Sequence, residues 1–288
     1  MKNIPITYLH EFGRTDDRLR PYIMHEFAVN GAKHLVLSDT LIQQILARPA
    51  LKNMLLEEMS AEGLTFMDAH APFGRLLDLN CPIAEARPEM ILRHKLTLEI
   101  IASMNVNTIT VHIGNETPYP DYPLEVQFDA VKRSLEELLP VAEKLGIIIC
   151  IENIWFQINT PERLLALKEC FPTDALGFCY DAGHANLMKT GEKSEESSPV
   201  KAWCEKTPAW DDNILEKMLP HVVNCHLHDN NGVIDQHINP GDGTVDWAHI
   251  MPLLKSAPRL KLFQSEVIPT GPKVSIRTLC ETFTKLCN

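Results

Sequence analysis

Short apolar runs alternate with longer stretches of helical periodicity along the chain, and this alternation restricts the fold more than any other feature. Each run is rich in β-branched or other apolar residues and is bounded by polar ones, which is typical of buried strands. The eight predicted strands lie at residues 4–9, 34–37, 64–68, 108–113, 147–152, 176–181, 222–228 and 260–266. The predicted helices lie at residues 17–30, 41–62, 88–103, 124–145, 161–170, 214–219, 247–254 and 274–286.

The strict order of strand and helix predicts an α/β fold with a parallel sheet, because parallel neighbours need a crossover that a helix supplies. The run at residues 147–151 is apolar at each position, as expected of a strand that is buried on both faces. We therefore predict a (β/α)8 TIM barrel in which residues 1–288 form a single domain. An open doubly wound sheet is the alternative, but no GxGxxG sequence follows the first strand and no GxxxxGK[ST] loop occurs.

The charge balance and the apolar stretches restrict the partners. The formal net charge is −11, which disfavours nucleic acid and acidic membranes as partners and leaves room for a local basic groove. No apolar stretch approaches the roughly 20 residues of a membrane span, and no secretory pattern opens the chain, so we expect a cytoplasmic protein.

The eight cysteines form no CxxC pair and are expected to be reduced. Residues 189–206 are predicted to form an inserted surface segment, either a lid or a solvated loop. The sequence does not decide whether the protein forms a homo-oligomer.

Polar side chains stand where the predicted strands end. They are His70, just after the third run, and His112, Glu152, Asp181, His226, His228 and Glu266. In a barrel these ends meet at one mouth, where active sites of this fold lie. Several carboxylates at one mouth repel one another unless a cation compensates them. The sequence therefore predicts a divalent metal site, and its carboxylate and imidazole donors suit Zn, Mn, Co, Fe or Mg.

Two further spacings bring donors towards the same mouth. Asp181 and His184 form a DxxH sequence, in which we expect a turn to carry His184 back over the mouth. Asp235 and His237 come just before a turn at residues 240–243, whose glycines allow close backbone approach. This segment either presents the Asp-x-His pair to the mouth or is an ordinary hairpin-like loop.

At these residues the sequence resembles the xylose isomerase-like barrel superfamily. That superfamily contains sugar and sugar-phosphate isomerases and epimerases, and also the endonuclease IV group of abasic-site nucleases. The resemblance runs from about the third strand to the end of the chain. It is carried by segments at residues 68–74, 111–114, 151–153, 181–184, 226–229, 240–243 and 265–266.

The ketose epimerases of this superfamily hold one metal ion with a Glu, an Asp, a His and a Glu on successive strands. By that resemblance the ligands here are Glu152, Asp181, His226 and Glu266. The resemblance implies that both glutamates also transfer the proton through an enediolate, and that His184 holds a substrate oxygen. His237 stands where those epimerases usually have an arginine that grips the sugar, which is a departure from their pattern.

The endonuclease IV group implies an alternative, a metal-dependent phosphodiesterase with three zinc ions. By that resemblance its nine ligand positions form three sets: His70, His112 and Glu152; Asp181, His226 and Glu266; and His184, Asp235 and His237. Against this alternative, the first strand lacks a glycine-rich turn, and the loop at residues 72–82 offers only Arg75 to a phosphate backbone.

The function that we predict is therefore a metal-dependent isomerase or epimerase with one to three ions, acting on a sugar, a sugar phosphate or a related polyol. Other metal-dependent chemistry, such as dehydration of a cyclic polyol, and a non-catalytic binding module remain open. Substrate contacts are expected from His228, Phe73 and Trp155, although the aromatic rings, like Phe156, are also explained by core packing. If the substrate carries a phosphate, the cations available by position are Arg75, Arg87 and Lys189.

Overall fold

Eight parallel strands form a closed barrel in the computed structural model, which describes residues 4–189, 211–267 and 274–288. The strands are β1 Ile6–Tyr8, β2 His34–Leu37, β3 Thr65–His70, β4 Thr108–Val111, β5 Ile148–Glu152, β6 Leu176–Asp181, β7 Val222–Leu227 and β8 Phe263–Ser265. Neighbours pair in chain order, and β1 pairs with β8 to close the ring. The predicted TIM barrel is confirmed.

Helices follow the strands and cover the outside of the barrel. In the described residues the α-helices are Arg20–Val29, Asp39–Ala47, Leu51–Ala61, Arg87–Ser103, Leu124–Leu145, Pro161–Cys170, Ala182–Leu187, Ile214–Met218, Trp247–Ser256 and Ile276–Cys287. Short 3-10 turns occupy Phe12–Arg14, Gln157–Asn159 and Leu219–His221. Helix Leu124–Leu145 buries an apolar stripe that includes Val131, Leu135 and Leu138, and Gly146 ends it in the left-handed conformation, with φ 69°.

The strands predicted at residues 4–9, 108–113, 222–228 and 260–266 are shorter in the structure, so that His112, His228 and Glu266 follow their strands. The structure also corrects the prediction at three further places. The helix predicted over residues 41–62 is two helices, because Pro49 lacks an amide hydrogen and disfavours the helical conformation of the residue before it. Strand β3 extends to His70, so this residue ends the strand and does not follow it. The predicted turn after Asp181 is the six-residue helix Ala182–Leu187, whose first turn is capped by the Asp181 carboxylate.

The core has two layers, one inside the barrel and one between the strands and the helices. Every residue of β6 and β7 is buried, including the polar Asp181, Asn224 and His226. The cysteines of the described residues are all free, as expected. Within the same residues, no helix is long and apolar enough to cross a membrane. Of the inserted segment predicted at residues 189–206, residues 190–206 lie outside the described residues.

Candidate metal centre

Four side chains from the ends of β5 to β8 meet below the barrel mouth. They are Glu152, Asp181, His226 and Glu266, and one donor atom of each lies within 4.8 Å of the others. His226 Nδ1 is central, at 3.1 Å from Glu152 Oε1, 3.3 Å from Glu266 Oε1 and 3.7 Å from Asp181 Oδ2. The structure thus brings together the four ligands that the superfamily resemblance implied.

Glu152 also belongs to a second donor group, with His70 and His112. Its Oε2 atom lies 3.1 Å from His112 Nε2, whereas its Oε1 atom faces His226. One carboxylate thus belongs to two donor groups and would contribute one oxygen to each.

A third donor group contains His184, His228, Asp235 and His237. Asp235 and His237 sit on a loop whose base is an antiparallel bridge between Asp229 and Ile238, so the segment is hairpin-like and also presents its Asp-x-His pair. His237 Nε2 lies 3.0 Å from Asp235 Oδ2, and His184 Nε2 lies 3.7 Å from the same oxygen. The nine residues matched to the nuclease pattern, together with His228, therefore fall into three contiguous groups.

Backbone carbonyls orient three of the imidazoles. The Nδ1 atoms of His70, His184 and His237 lie 2.9, 3.0 and 2.8 Å from the carbonyl oxygens of Ala71, Asn153 and Glu266 respectively. A carbonyl only accepts hydrogen bonds, so each Nδ1 carries a hydrogen and donates it. In the neutral ring Nε2 then has a free lone pair, as in metal-ligating histidines whose other nitrogen is held by an outer partner.

The electrostatics of the centre also favour cations. Burial alone raises the pKa of Glu152, but the charge of His226 and hydrogen bonds from His112, His184 and His226 outweigh it and hold that pKa well below its usual range. Burial lowers the pKa of the His237 imidazole, but its hydrogen bond to Asp235 and the nearby carboxylates outweigh this and raise the pKa to about 9.

Protons on the imidazoles thus balance the carboxylates, a role that a divalent cation fills equally well. Buried Asp235 Oδ1 and His228 Nδ1 have no hydrogen-bond partner among the described residues. The donor set therefore fits divalent metal ions.

A cavity of about 790 Å³ opens above the donors. Phe73 and Trp155 line it, with ring centroids 4.5 Å from His112 and 4.7 Å from His184 respectively. Phe73 is half exposed, whereas Trp155 is almost buried and forms part of the wall. This volume is within the usual range for small-molecule sites.

Several residues predicted to contact substrate lie elsewhere. His228 is fully buried, does not line the cavity and places Nε2 3.2 Å from Asp181 Oδ2, so its position is that of a donor and not of a substrate contact. Arg87 donates to the carbonyl oxygens of Cys81 and Ala130 and is held away from the cavity. Within the described residues, Arg75 and Lys189 do not line the cavity either.

The sequence reasoning missed four charged residues of the cavity wall. They are Glu11, Arg14, Asp39 and Asp78, from the segments that follow β1, β2 and β3. Arg14 lies 3.6 Å from the Glu11 carboxylate, so the charge of this cation is partly compensated. The only available signal was that polar residues follow strands in a barrel, a signal too general to single out these positions.

A family model described as a xylose isomerase-like TIM barrel matches residues 35–260. The chain belongs to this family. The match begins at β2, earlier than the resemblance read from the sequence, and it ends before Glu266.

Similar proteins include curated relatives and solved structures. The uncharacterized protein MJ1311 of Methanocaldococcus jannaschii is 29% identical over 198 residues, which are 65% of this chain and 59% of that protein. A D-tagatose 3-epimerase-like protein is 19% identical, with a TM-score of 0.73 and coverage of 97% of this chain and 95% of that one.

The 3-keto-D-glucoside 4-epimerase YcjR from E. coli is 15% identical, with a TM-score of 0.72 and 99% of both chains covered. A structure described as the IOLI protein with a bound zinc atom is 16% identical, with a TM-score of 0.67 and coverage of 97% and 95%. At these identities the structural likeness concerns the fold.

Proposed function

We propose that this chain is a divalent-metal-dependent isomerase or epimerase of a sugar, a sugar phosphate or a related polyol. The main support comes from which of the four side chains that meet below the barrel mouth also reach the cavity. Of Glu152, Asp181, His226 and Glu266, only the two glutamates line the cavity above the donors. The groups suited to proton transfer are thus the ones that a substrate would meet.

The protein side chains define a division of roles. Asp181 and His226 are fully buried and would hold the cation from below. Glu152 and Glu266 follow β5 and β8, so they approach the cavity from different parts of the ring. One would take the proton from the carbon beside the substrate carbonyl, and the other would return it.

A bound cation would supply polarisation of the substrate carbonyl and compensation of the carboxylate charge. Imidazole-rich donors suit zinc or iron better than magnesium. The second and third donor groups would hold further ions, so we propose two or three in all. The likeness to sugar epimerases and to a zinc-containing barrel supports a carbohydrate substrate and a transition metal.

Proton exchange tests the proposal directly. The metal-loaded protein is incubated with a panel of ketoses and keto-glycosides in D₂O, and deuterium at the carbon beside the carbonyl is followed by NMR. We expect Glu266→Gln to retain bound metal and lose exchange, while Glu137→Gln, an exposed partner of Lys95, behaves as wild type. Full exchange by Glu266→Gln would remove the acid/base role.

One observation favours a second candidate, metal-dependent phosphodiester cleavage at abasic sites. The nine ligand positions that the endonuclease IV resemblance implied all lie in the three donor groups. This candidate predicts salt-sensitive binding of a duplex with an abasic site, and cleavage that a chelator stops. Absence of binding at low salt removes it.

A further inference from the structure

A chain of buried hydrogen bonds runs under the candidate metal centre, inside the barrel. Asp68, Thr110, Asn224 and His226 form it, and all four are fully buried. Asn224 Nδ2 lies 2.8 Å from Asp68 Oδ2 and 3.0 Å from Thr110 Oγ1. Thr110 Oγ1 in turn lies 3.1 Å from His226 Nε2. The chain therefore ends on the ring nitrogen of His226 that faces away from the carboxylates.

The partners at one end define the direction of each hydrogen bond. Asp68 Oδ1 also receives hydrogen bonds from the Thr108 hydroxyl at 2.7 Å and the Ala69 amide at 3.0 Å, so this carboxylate acts as an acceptor. The Asn224 amide must then turn its NH₂ group towards Asp68, and its second hydrogen points at Thr110. Thr110 Oγ1 thus accepts from Asn224 and keeps one further lone pair for His226 Nε2.

Metal ligation through Nδ1 would set the tautomer of His226. A ring that gives its Nδ1 lone pair to a cation must carry its hydrogen on Nε2, and that hydrogen needs an acceptor in a fully buried site. Thr110 Oγ1 lies where that acceptor is required. Its own hydroxyl hydrogen remains available for Cys179, whose Sγ lies close to His226.

We infer that Thr110 is a positioning residue, held by Asn224 and Asp68, that keeps His226 in the Nε2-protonated form required for metal ligation. The inference rests on the metal dependence in the proposed function, and it adds a residue outside all of the donor groups. Outer partners of ligating histidines typically change metal affinity by about 10- to 100-fold. We expect an effect of that size from Thr110.

Replacement of Thr110 can be compared with a matched control in the same barrel. Thr7 lies on β1, is fully buried and has a hydroxyl without a partner among the described residues. Thr110→Val removes the acceptor at nearly constant volume, Thr110→Ser keeps it, and Thr7→Val repeats the chemical change without a metal-linked contact. Each full-length variant is titrated with Zn²⁺ against a chelator of known affinity, and folding is checked by circular dichroism.

We expect Thr110→Val to bind Zn²⁺ about 10- to 100-fold more weakly, with Thr110→Ser and Thr7→Val near wild type. Nitrogen NMR of the Zn²⁺-loaded wild type should show His226 protonated on Nε2. Equal affinity of Thr110→Val and wild type, or equal losses in Thr110→Val and Thr7→Val, would overturn the inference. Wild-type protein that binds no divalent metal would instead remove the metal dependence of the proposed function.

Discussion

Replacement of Gly183 by alanine should disturb the third donor group through one defined clash. A Cβ atom at Gly183 would lie 2.0 Å from His228 Cε1, 2.5 Å from Nδ1 and 2.6 Å from Nε2. The ring has little room to retreat, because it is fully buried and stacks on His237 with centroids 3.8 Å apart. Its Nε2 atom is also held 3.2 Å from Asp181 Oδ2. The added methyl group must therefore displace His228 or the backbone around Gly183.

The expected cost has two parts. Overpacking of a buried site typically costs about 1–3 kcal/mol of stability. Displacement of the His228 donor should weaken metal binding by at least about 10-fold, the lower end of the effect of disturbing an outer partner. Stability is measured by urea unfolding, and metal affinity by Zn²⁺ titration against a chelator.

Gly177→Ala provides the matched control. Its Cβ would lie 2.4 Å from Val223 Cγ2, so it also overpacks the barrel, but it touches no member of a donor group. We expect both variants to lose stability and only Gly183→Ala to lose metal affinity. Wild-type metal affinity in Gly183→Ala, or the same loss in both variants, would refute this reasoning.

Two further predictions concern the loop of the third group and the response to acid. The Asp229 carboxylate accepts four hydrogen bonds, from the backbone amides of Asn230, Gly241 and Val245 and from Trp247 Nε1, at 2.9 to 3.0 Å. These hydrogen bonds anchor the loop that carries Asp235 and His237. Asp229→Ala leaves the four donors unpaired, so we expect the free energy of unfolding in urea to fall by at least about 3 kcal/mol and the Zn²⁺ affinity to fall as well. Wild-type values for both quantities would contradict this anchoring role. Burial lowers the pKa of His10 from its ordinary 6.5 to about 4, so its neutral form stabilises the fold above pH 6.5 and this contribution is lost as the pH falls towards 4. His10→Asn should flatten the stability profile in this window, and an unchanged slope would show that His10 does not contribute to it.

The barrel could be predicted because its strands are buried on both faces and their apolar runs end abruptly at polar residues. The bounds predicted for Leu176–Asp181 and His34–Leu37 agree with the structure for this reason. Helix Ala182–Leu187 could not be found by periodicity, since six residues make fewer than two turns. The break at Pro49 was available from the sequence and was overlooked.

The candidate donors could be placed at one mouth because parallel strands bring their carboxyl ends together. The superfamily resemblance also implied the division into three groups, but the sharing of Glu152 between two of them could not be predicted, since it depends on which carboxylate oxygen faces which imidazole. The position of His228 was also hidden, because its place at a strand end does not distinguish a buried donor from a substrate contact. The Thr110 contact joins β4 to β7 across the barrel interior and leaves no local sequence signal.

The metal content of the purified protein tests the central claim most directly. Wild type and His237→Ala are loaded with Zn²⁺, desalted and analysed for elements, with a chelator-treated sample of each as the blank. We expect two or three equivalents in wild type and fewer in His237→Ala. Wild-type protein that retains no divalent metal after loading would contradict it.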